Sequence, residues 1–141
     1  MILARKEPIP VGIDKSKIDA YWPRVSPLLW KVIKRSERYC MDEILNELRT
    51  GKSQLTICEN GEIIELILIT CIVPYANKKV LSIFMIAGLD LNYWIKFLPQ
   101  VEVWGKSMGC KSVEIIGRPG WQRLLKDQKY ELTDVILRKD F

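Results

Sequence analysis

Two acids and one glycine-bearing turn are the residues of this 141-residue chain that most invite a chemical reading. Glu62 and Glu65 lie at the start of, and within, the apolar run Ile63 to Val73. A carboxylate on such a run can serve as a general base, because burial disfavours its ionised form and raises its pKa. Glu65 is the better candidate, since it lies deeper in the run. The commoner alternative is a carboxylate on the solvated side of a strand or near its end. Gly117-Arg118-Pro119-Gly120 falls between a short strand-like run and a restarted helical period. Such a turn can offer backbone amides and a guanidinium to an anion. The simpler reading, preferred here, is a connection in which Pro119 opens a helix and Trp121 packs on its first turn.

Several chemistries are excluded at once. The chain has no histidine, which removes imidazole bases, histidine-based triads and mixed Cys/His zinc sites. Cys40, Cys58, Cys71 and Cys110 show no Cys-x-x-Cys spacing, and Cys71 in its apolar run reads as a buried free thiol. Neither a metal nor a disulfide is expected. The net charge of +5 is spread in ones and twos, as Arg5-Lys6, Lys34-Arg35, Lys78-Lys79 and Arg138-Lys139. Without a basic stripe interleaved with aromatics, a solvated surface is a better reading than specific nucleic-acid binding. Arg5, Lys6 and Glu7 follow a short apolar start, so no secretory signal is expected, and Ile63 to Val73 is too short to span a bilayer. A reduced, cytoplasmic protein fits this usage.

The elements that must position these residues follow from hydrophobic spacing. Residues 1–13, with Pro8 and Pro10, read as extended, with an edge strand at most. Asp14 or Ser16 can cap a helix in which Ile18, Tyr21 and Trp22, then Val25, Leu28, Leu29, Val32 and Ile33, keep helical spacing. Pro23 predicts a kinked or two-part helix. Tyr39 to Arg49 gives a second helix, with Met41, Ile44, Leu45 and Leu48 on one face and Gly51 past its end. Gln54 to Cys58 and Glu62 to Val73 flank Asn60-Gly61, a strong hairpin turn. Val80 to Ala87 completes a three-strand meander.

Leu91 to Met108 then predicts a helix facing inward with Leu91, Ile95, Leu98, Val101, Trp104 and Met108, bent or split by Pro99 and capped by Gly109. Val113 to Gly117 is a short buried strand, Trp121, Leu124 and Leu125 a helix, and Glu131 to Arg138 a last strand built on Leu132, Val135 and Leu137. The five tryptophans are read mainly as core pieces. No repeat or linker divides residues 1–141, so one α/β (α+β) domain with a mixed sheet is expected.

That element order resembles the Gcn5-related N-acetyltransferase (GNAT) fold, and more closely the small GNAT-like proteins of tailed phages and prophages. The resemblance rests on Tyr21-Trp22-Pro23 with Pro27, Ile44 to Gly51, Glu102-x-Trp104 through Gly109-Cys110, Gly117-Arg118-x-Gly120-Trp121, and Tyr130. It covers most of the chain from about residue 15, and its C-terminal motif is the more specific part.

The resemblance implies an acyl-CoA site, for acetyl-CoA or another acyl-CoA, at Ala87, Gly88, Leu89, Asp90 and Leu91. Only Gly88 matches the family's glycine-rich loop; no arginine is present, and Asp90 places a negative charge where phosphate would sit. The family's acid tyrosine falls on Leu125, which has no proton to donate. The family's Gly-Phe pair is Lys129-Tyr130 here. Two readings follow from the resemblance. One is an N-acyltransferase with a degenerate loop, Glu65 acting as base through water. The other is a non-catalytic GNAT-fold protein in the host cytoplasm or the virion, binding a phage or host protein through a surface that includes Arg118 and Trp121. In either case residues 80–87 and 113–117 should be parallel neighbours that splay into a cleft near Gly88 and Gly117.

Overall fold

The computed structural model describes residues 9–89 and 95–141. Five strands form one sheet in sequence order: β1 (Pro10–Ile13), β2 (Ser53–Asn60), β3 (Ile63–Pro74), β4 (Lys79–Gly88) and β5 (Ser112–Ile115). The first four are antiparallel neighbours, and β5 joins β4 in parallel. Helices α1 (Ile18–Ile33) and α2 (Met41–Thr50) come between β1 and β2. Helix α3 (Leu98–Ser107) makes the crossover from β4 to β5, and the five-residue α4 (Trp121–Leu125) follows β5. This is the expected mixed α+β sheet, with 80–83 and 112–115 in parallel register.

Alternation along the strands splits the core into two layers. Leu55, Ile57, Ile67, Ile69, Met85 and Ala87 meet Val25, Leu29, Ile33, Ile44 and Leu48 of α1 and α2. The other face, Leu66 and Leu68 of β3 with Leu81 and Ile83 of β4, meets Leu98, Val101 and Leu125 of α3 and α4; along β4 the face changes between Ile83 and Met85, where the pairing with β3 shifts register. A strand buried on both faces has no polar alternation, which explains the continuous apolar run in β3. Each fully buried Leu or Ile contributes about 1.5–3 kcal/mol relative to exposure.

Several local expectations are corrected by packing. Of the kinked or two-part helix expected, the two-part alternative does not hold: α1 is one element with Pro23 and Pro27 inside it. The buried stripe Ile18, Val25, Leu29 and Ile33 runs its whole length, and this burial outweighs the two lost amide donors. Pro99 neither bends nor splits α3 but sits in its first turn, where a missing N–H costs nothing. Trp104 and Met108 are 37% and 45% exposed; the buried stripe of α3 is Leu98, Val101 and Gly105. Gly105 permits this, since a Cβ there would come within 2.9 Å of Leu81 Cδ2. Trp30 is 53% exposed, so the tryptophans are not uniformly core, and Cys71 is half-buried where Cys58 and Cys110 are buried. Residues 131–138 form no strand, and β5 remains the edge of the sheet. Leu91 and the rest of segment 90–94 lie outside the described residues.

Candidate functional site

The sheet opens between β4 and β5. Their pairing covers Val80–Ile83 against Ser112–Ile115 and ends with the Ile116 amide donating to the Ile83 carbonyl at 3.0 Å. β4 continues for Phe84 to Gly88 paired only to β3. Among the described residues, that stretch of strand edge therefore faces a wedge rather than a neighbour. Bulges interrupt both β2–β3, between Cys58 and Glu59, and β3–β4, between Ile69 and Thr70. Bulges increase local twist and re-aim the strand, which suits a sheet that must diverge.

Glu65 and Gly88 stand at the mouth of this wedge. The Leu89 amide donates to the Glu65 carbonyl at 3.1 Å, and a Cβ on Gly88 would lie 2.4 Å from that same oxygen. Gly88 is thus required by the approach of β3, independently of any phosphate. The Glu65 carboxylate is half-buried near the hairpin tip, accepting from Asn60 Nδ2 at 3.3 Å. Ala87 is buried and Leu89 is 63% exposed, while Asp90 and Leu91 lie outside the described residues.

Arg118 lies three residues beyond the end of β5, at the end of the sheet towards which β4 and β5 both run. It is exposed, on the rim of a groove of about 1430 Å³ that follows the outer edge of β5. The turn that carries it is closed by the Trp121 amide bonding to the Arg118 carbonyl at 3.0 Å. A Cβ on Gly117 would lie 2.5 Å from Trp121 Cδ1, so the indole is packed directly against the glycine. Trp121 belongs to the second core layer, as the packing reading expects. With only five residues, α4 supplies little of the helix-end field an anion would need. Leu125 is buried, and Tyr130 packs in the same layer. Burial beside Glu102 raises the Tyr130 phenol well above its usual range, which makes it a poor proton donor.

One polar group escaped sequence reading. Ser53, Cys71, Ser82 and Glu114 are in direct register across β2, β3, β4 and β5. Glu114 accepts from Ser82 Oγ at 3.1 Å and from the Tyr75 hydroxyl, while Ser53 Oγ donates to Glu47 at 2.9 Å. The bond to Glu114 raises the Tyr75 phenol; burial, then Glu47 and Glu114, raise the Cys71 thiol and leave it un-nucleophilic. Tyr75 and Glu114 are 39 positions apart, so no local motif announces the pair. Among the described residues no His, Cys, Asp and Glu group is arranged to hold a metal, and no helix is long and apolar enough to cross a membrane.

This layout, a meander, a crossover helix and a diverging parallel strand, is the GNAT fold. An aminoglycoside acetyltransferase from an uncultured soil metagenomic sample, in complex with sisomicin, is 12% identical over 94% of this chain and 95% of that chain, with a TM-score of 0.67. The aminoglycoside N-acetyltransferase AAC(6')-Iy in complex with CoA is 14% identical over 99% of both chains, with a TM-score of 0.66. A putative acetyl transferase from Pyrococcus furiosus is 16% identical over 94% of this chain and 99% of that chain, with a TM-score of 0.67. No family model matches the sequence, and no curated protein is similar to it at the level of sequence. At such identities the likeness is one of fold, and the chemistry must be argued from the residues.

Proposed function

We propose that this chain is a phage-encoded GNAT-like N-acyltransferase with a weakened acyl-CoA site. The observation that carries the reading is the edge of β4 from Phe84 to Gly88, which has no strand partner on the β5 side among the described residues, opposite a β5 that ends at Ile115. Main-chain amides and carbonyls exposed along a strand edge suit an extended, amide-bearing arm such as that of an acyl-CoA. The phosphate end is poorly provided for. Gly88 is packed against the Glu65 carbonyl and the Leu89 amide is bonded to it, no arginine occurs among residues 87–91, and Asp90 adds a negative charge. Arg118, on the rim at the same end, is the cation that would meet an anionic ligand.

A bound acyl-CoA would supply a thioester carbon to an acceptor amine. Glu65 would take the amine proton through a water, held in place by Asn60. Leu125 offers no proton to the departing thiolate, which would draw one from solvent. The expected enzyme is slow. The phage assignment rests on the Gly117-Arg118-x-Gly120-Trp121 resemblance, and with it the bacterial cytoplasm or the virion as the site of action.

A second reading, a non-catalytic protein that binds a phage or host protein, is favoured by the buried Leu125 and by the exposed apolar segment after Tyr130. Calorimetric titration with acetyl-CoA, CoA and desulfo-CoA separates the two. The acyltransferase reading expects weak binding that strengthens in Asp90→Gly and is lost in Arg118→Ala. Absence of binding by all three proteins would reject it in favour of the second reading. Tight binding by wild type that Arg118→Ala leaves unchanged would mean that the anion is held elsewhere.

A further inference from the structure

The chain beyond Lys129 is tied down at two points. At the near end, the Tyr130 amide donates to the Leu125 carbonyl at 3.3 Å and the ring packs in the second core layer. At the far end, Arg138 pairs with Glu37 at 2.5 Å, in the connection from α1 to α2. Those helices pack on the opposite face of the sheet, so residues 131–137 pass from one face to the other around the β5 edge.

Between these anchors the segment is barely held. Residues 131–137 form neither helix nor strand, and among the described residues no hydrogen bond joins them to the rest of the chain. Leu132, Val135, Ile136 and Leu137 are 65%, 69%, 64% and 91% exposed. Side chains left in water gain little from lying where they do, so burial does not clamp the segment. Its hold rests on Arg138, and an ion pair between two exposed side chains is weak and screened by salt. The Glu37 side is the fixed half. The Ser36 amide donates to the Ile33 carbonyl at 2.8 Å and the Arg38 amide to Ser36 Oγ at 3.1 Å, which sets the turn that carries Glu37.

What the segment passes over is the polar group at the sheet edge. Asp134 and Val135 line the groove of about 1430 Å³ together with Tyr75 and Glu114. The Tyr75 phenol, raised first by its bond to Glu114, is raised further by the charge of Asp134, which places the segment beside that pair. Arg38 and Tyr39, next to Glu37 in sequence, belong to the same wall. We propose that residues 131–138 are a releasable strap across this groove, latched by Arg138 on Glu37, and that release opens the Tyr75–Glu114 group to a ligand arriving from the side of α1 and α2. A segment with so few contacts lies at the low end of a protein's local opening energies, so loss of one exposed ion pair is enough to move it. Anything that engages Arg138 or Glu37 then acts as the trigger. The proposal concerns access and is independent of acyl transfer.

Nitrogen-15 relaxation of the full chain, combined with solvent paramagnetic enhancement from a neutral gadolinium chelate, tests it. At low ionic strength the wild-type segment 131–137 should be ordered on the nanosecond timescale, with Tyr75 and Glu114 shielded from the chelate. Arg138→Gln should free the segment and raise the enhancement at Tyr75 and Glu114 by about twofold or more. Wild type in about 1 M sodium chloride, where screening acts within about 3 Å, should behave the same way. The melting temperature should not change, because Arg138 and Glu37 are both exposed. Exchanging the charges, in Glu37→Arg combined with Arg138→Glu, should restore both order and shielding, which a general effect of salt would not. Four results would overturn the proposal. They are a segment already disordered in wild type at low salt, a segment that stays ordered when the ion pair is lost, a freed segment with no change in enhancement at Tyr75 and Glu114, and a charge exchange that restores neither reading.

Discussion

The Cα of Gly88 sits so close to the main chain of Glu65 that a Cβ on it would fall 2.4 Å from the Glu65 carbonyl oxygen and 3.2 Å from the Leu66 Cα. Both obstacles are backbone, and the carbonyl is already engaged by the Leu89 amide. Gly88→Ala must therefore push β3 and β4 apart at the mouth of the wedge. A loss of about 1–3 kcal/mol is expected by chemical denaturation. A variant as stable as wild type would show that the strands part without cost there.

Gly117 and Trp121 form the second such contact. In Gly117→Ala the new methyl would overlap the indole at Cδ1 and Nε1, by approaches of 2.5 and 2.8 Å. The ring is large, half-buried and packed against the second core layer, so moving it gives up contacts there. The expected cost is again roughly 1–3 kcal/mol, with a displaced Trp121 indole N–H resonance in the nuclear magnetic resonance spectrum. An unmoved resonance would contradict the packing.

Lys129 is the one non-glycine residue with positive φ among those described, at 65°. A lysine there carries a steric penalty that glycine avoids, offset by the larger entropy glycine loses on folding. Lys129→Gly should stabilise the protein by roughly 0.5–1 kcal/mol, read from the denaturation midpoint. Lys129→Ala, which keeps the Cβ, should give no such gain.

Burial raises the Cys58 thiol from its ordinary 9.0 to about 11. Below pH 9 both folded and unfolded chains hold the proton, and the contribution of this site is complete. Between pH 9 and 11 the unfolded chain ionises first, so stability falls as pH rises. The stability gap between wild type and Cys58→Ala should narrow over that window, by no more than about 2–3 kcal/mol. Thermal unfolding of both proteins across the range measures it. A gap that stays constant would place Cys58 in a wetter environment than the structure shows.

What the sequence determined by itself was the order and kind of most elements. The two-face apolar run of β3, the Asn60-Gly61 turn, the helical stripes of α1 and α2 and the Gly109 stop are local periodicities, and local periodicity survives folding because it states which face must be buried. The parallel placement of β4 and β5 followed from the helix between them. Tertiary structure decided what depends on partners distant in the chain. Gly88 was legible as a phosphate-loop glycine, but its need comes from Glu65, on the neighbouring strand. Trp104 keeps the spacing of a core residue, yet Gly105 lets α3 approach β4 with another face inward. The row Ser53, Cys71, Ser82 and Glu114 exists only through strand register. The segment 131–138 has the composition of a strand without a place in this sheet, because a strand is completed by its neighbour and not by its own sequence.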